Sequence, residues 1–243
     1  MKLIELHILQ SFSAPCLNST TPQLTYFGDV LRAKISGNYW KQTTYVVMKT
    51  LIKHHFNDSR IDSLEQLTNK TAIFSPAVST HKVPNDVDYF AAVDATPETL
   101  EPNTTCFYRY IGLNWNWFAE YLENLKVPPN DILRIFLRSA ICAAPSAPQS
   151  SVCRQTLPSY ILGLTRNGNP LSLINAFETP LPPRADYLEP SYETMKKYFK
   201  LLKQSYKELY ADRTRTEVWL KANPVEPQPT LDDFINQLST TLK

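Results

Sequence analysis

Arg32, Lys34 and Ser36 alternate with apolar neighbours in the segment Phe27 to Lys41, which reads FGDVLRAKISGNYWK. A period of two puts these three side chains on one face of an extended segment. A helix is predicted to open near Asn38, with Lys41 in its first turn. Cations and a hydroxyl on a strand face beside a helix N-terminus offer phosphate oxygens charge, hydroxyl donors and backbone N–H groups together. The same spacing also suits an edge strand with a solvated face. The segment alone leaves both readings open.

The elements that must position it follow from periodicity. An opening strand runs from Lys2 to Gln10 and ends in a loop containing Leu17 and Asn18. A helix from about Tyr39 to His55 puts Trp40, Thr44, Val47, Met48 and Leu51 on one face. A polar link, Asn57 to Lys70, leads to a strand near Thr71 to Val78. From Cys106 to Leu113, Phe107, Arg109, Ile111 and Leu113 alternate with Tyr108, Tyr110 and Gly112, the pattern of a strand. Asn116 is placed to cap a following helix, and another spans about Asp131 to Cys142. A strand from Tyr160 to Arg166 meets the tight-turn pair Asn167 and Gly168. Beyond the Pro-rich run from Pro180 to Pro190, a helix from Tyr192 to Tyr210 carries Lys196, Lys200, Lys203 and Lys207 along a solvated face.

Strand, helix, strand, strand, helix, strand is the order of an α+β fold of the ferredoxin-like or RNA-recognition-motif (RRM-like) kind. Helices then cover one face of the sheet and leave the other open to a polymer. Residues 1–178 are expected to form that unit, with 179–243 as a Pro-rich linker and C-terminal helical extension packed on it.

The chain of 243 residues, 43% apolar and 12% aromatic, is long enough to bury a full core. With 25 Lys and Arg against 23 Asp and Glu, its net charge of +2 supplies no general attraction to nucleic acid, so binding cations must be clustered. No signal peptide or membrane-spanning run is read, and the scattered Cys16, Cys106, Cys142 and Cys153 suit reduced thiols in the cytoplasm. The adjacent His54 and His55 chelate poorly, and Asp86, Asp88 and Asp94 read as loop caps and surface charges. No catalytic cluster, metal or cofactor is expected.

Four blocks, in order, resemble the backbone subunit of type I-E CRISPR Cascade complexes, the CasC or Cas-seven family. They are Ile4 to Gln10 (IELHILQ) with Leu17 and Asn18; the basic segment above; Ser79 to Asp94 (STHKVPNDVDYFAAVD) running on to Phe107 to Asn114 (FYRYIGLN); and Ala144 to Gln149 (APSAPQ) with Pro170 to Glu178 (PLSLINAFE) and Pro229 to Ile235 (PTLDDFI). The resemblance implies a non-catalytic palm that holds CRISPR RNA in a filament of repeated copies, beside other Cascade subunits, while base pairing reads the target nucleic acid. Mapped onto this chain, RNA contacts fall on Asn18, Arg32, Lys34, Ser36, Asn38 and Lys41. His81 stands either near RNA or in a structural hydrogen bond.

Departures from the family pattern are equally specific. The family's arginine and two aspartates after leucine–asparagine are Ser19, Thr20 and Thr21 here, and its second glycine after phenylalanine is Asp29. Val30 and Leu31 replace basic residues, and Gln42 replaces one of a basic pair. Between the first helix and the next strand, only about Asn57 to Lys70 stands where the family carries fingers and a thumb hairpin. Two functions fit: a compact guide-RNA-binding subunit in antiviral defence, or a degenerate paralogue that docks onto Cascade and inhibits it.

Overall fold

Ile4, Leu6 and Ile8 alternate along one strand with Glu5, His7 and Leu9, and all six side chains are buried. A strand buried on both faces must lie in the middle of its sheet with material packed above and below. The computed structural model describes residues 1–13, 23–27, 30–56, 63–81, 104–143, 156–182, 186–222 and 229–242. In chain order its elements are β1 (Lys2–Ser13), β2 (Gln23–Phe27), β3 (Val30–Ile35), α1 (Gly37–Phe56), α2 (Ser63–Thr71), β4 (Ala72–Phe74), β5 (Ala77–Ser79), β6 (Thr104–Asn114), α3 (Trp115–Asn124) and α4 (Pro129–Cys142). There follow β7 (Tyr160–Asn167), a 3-10 turn (Ile174–Phe177), α5 (Leu188–Ser205), β8 (Thr214–Lys221) and α6 (Leu231–Thr240).

The strands form one antiparallel sheet in the order β2-β3-β5-β6-β1-β7-β8, with β4 also on β6. β4 and β5 are one strand interrupted at Ser75 and Pro76, because proline has no N–H to give the ladder. Ser75 repairs the gap: its N–H donates to the Tyr110 carbonyl at 3.0 Å, and its Oγ accepts from the Tyr110 N–H at 3.1 Å. The inner strands β7-β1-β6-β5 with their crossover helices have the ferredoxin-like arrangement that the sequence order predicts. The segment 179–243 adds, besides its helices, the edge strand β8.

Local differences have local causes. Residues 63–71 of the expected polar link form α2, whose Leu67 is buried. Asn114, not Asn116, caps α3 by accepting from the Trp117 N–H at 3.4 Å, while Asn116 accepts from the Lys2 N–H at 2.7 Å. No helix among the described residues is long and apolar enough to cross a membrane.

One face of the sheet packs Ile4, Ile8, Ile111 and Ile161 against α1, α3, α4 and α6. At Gly163 a Cβ would stand 2.6 Å from Phe234 and 2.7 Å from Leu238, so only glycine lets α6 approach β7 this closely. Arg109, on the same face of β6, is 1% exposed. Its Nη1 donates to the Ala140 carbonyl at 3.0 Å. Its Nη2 donates to the carbonyls of Ile141 (3.0 Å) and Ala143 (3.3 Å) and to Gln10 Oε1 (3.1 Å). The guanidinium also lies 4.2 Å from the Trp40 ring. It thus caps the negative end of α4, whose last carbonyls have no partner within the helix. Burial brings its pKa down to about 9, so it remains charged at neutral pH.

The second face is not open over β1, β6 and β7, contrary to the expected layout. Leu173, Phe177, Met195, Phe199 and Tyr210 cover it. Buried polar groups fasten this cover. Glu5 pairs with Arg166 at 3.3 Å and accepts from Tyr110 Oη and the Leu171 N–H, both at 2.8 Å. Tyr108 Oη accepts from the Leu173 N–H at 2.8 Å and lies 2.9 Å from His7 Nδ1. Burial raises the Glu5 pKa against the opposing pull of Arg166. Burial first, and then the charge of Arg166, bring the His7 pKa down to about 3.

Two stability measurements follow. Arg109→Met leaves the α4 carbonyls unpaired in a dry site, and urea unfolding followed by circular dichroism should show a loss of about 3 kcal/mol. Arg109→Lys should recover less than half of it, because one ammonium cannot reach all four acceptors. His7 is neutral when folded but takes up a proton near pH 6.5 when unfolded, so the unfolded state binds more protons between pH 6.5 and 3. Its contribution is present above pH 6.5 and is lost as pH falls through that window. Between pH 7 and pH 5 it should amount to about 2 kcal/mol, and His7→Gln should remove that part of the pH slope.

Candidate nucleic-acid interface

Ile35 at the end of β3 is 2% exposed, while Lys34 beside it is only half-buried. Register explains the contrast. Ile35 pairs with Ala77 toward the helix-covered face, and Lys34 pairs with Val78, which pairs with Tyr108 on the other. β3 is not an edge strand, because β2 pairs along its far side, with Arg32 opposite Thr25. Asn18 and the side chain of Arg32 lie outside the described residues.

Ser36 joins this strand to α1. Its carbonyl accepts from the N–H groups of Tyr39 (3.1 Å) and Trp40 (3.5 Å), and its Oγ accepts from the Asn38 N–H at 3.3 Å. A serine hydroxyl used as an acceptor keeps its own proton to donate. Gly37 follows because a Cβ there would stand 2.2 Å from the Phe74 carbonyl oxygen, locking the start of α1 against β4. Trp40 and Thr44 bury the inner face of α1. No acidic residue stands in the first turn to compete with an incoming anion.

Asn38 is exposed and Lys41 half-buried, and both line a groove of about 500 Å³ between α1 and α2. Gln42, Tyr45 and Val46 continue its α1 wall, and Glu65, Thr68 and Asn69 supply the α2 wall. At the corner where β3 turns into α1, Asn38 and Lys41 line one groove and Ser36 Oγ accepts from the Asn38 N–H, while Lys34 on β3 faces the other side of the sheet. Sequence reasoning named Gln42 only as a replaced basic residue and did not name Tyr45, Glu65 or Asn69, which line the same groove. The signal for the first two was present: they continue the Asn38 and Lys41 row at helical spacing. Glu65 and Asn69 fell within the segment read as a link.

His81 lies elsewhere, three residues past Val78. It is 5% exposed, bridges to Leu181 through its backbone, and stacks on Tyr187 with ring centroids 3.7 Å apart. Beside it the Leu181 N–H donates to the Thr80 carbonyl at 3.2 Å, and Ser191 Oγ donates to Thr80 Oγ1 at 2.8 Å. These contacts pin the start of α5 to the end of β5. Among the described residues no group of three or more His, Cys, Asp or Glu is placed to hold a metal ion. Along α5, Lys203 pairs with Glu217 at 2.7 Å and Lys196 lies 5.3 Å from the Tyr192 ring.

The family model described as CT1975-like protein matches residues 61–238. A chain of a solved "CRISPR RNA-guided surveillance complex" superposes with a TM-score of 0.70 at 16% identity, covering 98% of this chain and 98% of that one. A chain of a "CRISPR RNA-guided surveillance complex, pre-nicking" gives 0.66 at 14% identity, covering 98% and 99%. Both share the fold. No curated protein matches it. The β3–α1 corner precedes the family match but lies within the span of the superpositions.

Proposed function

The chain belongs to the CT1975-like protein family, and we propose that it is a CRISPR RNA-binding subunit of an RNA-guided surveillance complex. The observation that carries this reading is the whole-length likeness of its fold to chains of complexes so described. In that role the subunit holds the guide and performs no cleavage. Base pairing between the guide and the target nucleic acid reads the sequence. Further copies of the chain share one RNA, and other subunits complete the assembly.

The β3–α1 corner is the gripping surface. Lys34 and Lys41 neutralise phosphates, Ser36 donates its hydroxyl, and the first N–H groups of α1 add the positive end of the helix. Arg32, two positions before Lys34 on β3, and Asn18 extend the same row on sequence grounds. His81 serves by position: its stack on Tyr187 holds the cover that closes the second sheet face, leaving the strand to run past the corner and not across the middle of the sheet.

Fluorescence anisotropy with a labelled single-stranded guide RNA, titrated across salt concentrations, tests this. Each cation that contacts a phosphate contributes about 0.7 to the slope of log K against log salt for a single strand. Lys34→Ala with Lys41→Ala should lower that slope by about 1.4 and weaken binding. An unchanged slope, or a double variant that copurifies with as much guide RNA as the parent, would remove the corner from the interface.

A further inference from the structure

Asn38, Lys41, Gln42 and Tyr45 recur on α1 at i, i+3, i+4 and i+7, the spacing of a helix face that packs against a neighbour. A packing face is ordinarily apolar. This one carries two carboxamides, an ammonium and a phenol, and Glu65 and Asn69, one turn apart on α2, stand across the groove of about 500 Å³. Among the described residues none of the side chains of Asn38, Lys41, Gln42, Glu65 and Asn69 is hydrogen-bonded or ion-paired to a neighbour. Lys41 and Glu65 line the same space and do not pair. The two helices thus flank a groove in which these five side chains have no protein partner among the described residues, while Thr68 Oγ1 donates to the Glu65 carbonyl at 3.1 Å.

We propose that this α1–α2 groove seats one unpaired nucleobase of the RNA strand whose phosphates the adjoining corner holds. The inference rests on the reading of the corner as an RNA interface, and names the part of the RNA that the neighbouring groove takes. A phosphate suits the groove poorly, because Glu65 would repel it. A base suits it well. Tyr45 offers a ring to a π-face that every base possesses, and base–aromatic stacking tolerates any sequence. Glu65 accepts from the exocyclic amino groups of adenine, cytosine or guanine, or from the N3–H of uracil. Asn38, Gln42 and Asn69 each carry both a donor and an acceptor, so they can answer whichever edge the base presents. The groove therefore holds a base without selecting it.

The test compares a labelled single-stranded RNA with a strand of equal length in which abasic sites replace the bases, using the full chain. The abasic strand should bind at least about fivefold more weakly to the parent protein, the scale of one lost stack. Tyr45→Leu should bring the two strands close together by weakening the RNA alone, with the salt slope unchanged. Asn69→Ala, at an exposed position on α2, should narrow the gap in the same direction and guards against a folding defect in the first variant. Homopolymers of uridine, cytidine and adenosine should bind the parent within a few-fold of one another. If Lys34→Ala lowers the salt slope but the parent binds abasic and normal strands alike, the base groove is wrong while the corner stands. A gap that survives both Tyr45→Leu and Asn69→Ala overturns it too, by placing base contacts elsewhere. A parent protein that binds neither strand removes both proposals.

Discussion

One guanidinium, sealed under the sheet, sets the geometry on which the proposed interface depends. Arg109 reaches three carbonyls at the end of α4, the amide of Gln10 on β1 and the ring of Trp40 on α1. Its charge is matched among the described residues by oriented carbonyl dipoles and not by a carboxylate, an arrangement that works only if those dipoles are held still. Trp40 belongs to the first turns of α1 and lies on the opposite side of that helix from the Asn38 and Lys41 row. The contact that neutralises a helix end within the core therefore also fixes the angle at which the exposed row meets α2. Loss of the guanidinium would disturb the groove without touching any residue that lines it.

The second constraint is the cover on the far side of the sheet. An RNA-recognition-motif layout invites a polymer to lie across the open strands, but Glu5, His7, Tyr108 and Tyr110 in the middle of this sheet are all buried. Their hydrogen bonds run to backbone N–H groups of Leu171 and Leu173, so the covering segment is registered against the sheet atom by atom. The cover leaves the proposed ribose-phosphate path only the margin, where β3 passes into α1. That margin is narrow and its cations are few, which agrees with a net charge of only +2.

The legible part of the fold was what one strand or helix states about itself. The alternation in Cys106 to Leu113, the helical face through Trp40, Thr44 and Met48, and the glycine turn after Asn167 each depend on neighbours in sequence. The polar residues inside apolar runs were visible too, at Glu5, His7 and Arg109, but their partners lie 31 to 166 residues away, beyond the reach of any periodicity. β8 escaped for another reason. Its charged and aromatic residues, Arg215, Glu217, Trp219 and Lys221, give little apolar alternation because it is an edge strand with only Val218 buried. α2 was hidden by composition: nine residues, SLEQLTNKT, read as a polar link until Leu67 is given a core to enter. At the proposed interface, Lys34, Ser36, Asn38 and Lys41 could be put forward from sequence because they follow one another along the chain. The opposing wall was not, because nothing in the sequence says that α2 returns to face α1.

A chain that holds guides of arbitrary sequence faces a chemical restriction that few folds meet. Contacts that discriminate between bases would favour some guides over others, so the holder must use groups that are blind to sequence. Phosphate is the same at every nucleotide, and cations at a helix N-terminus recognise it alone. An aromatic ring and ambivalent carboxamides extend the same blindness to the base. The proposed corner and groove would combine both sets near one strand-to-helix junction. On the proposed reading, a weak grip by each copy is no defect, because copies sharing one strand would bind it together, and linked weak contacts multiply without any single site being tight. The small number of positive side chains suits a subunit whose affinity is shared along a polymer, and the proposed base groove beside them would keep that sharing independent of what the polymer spells.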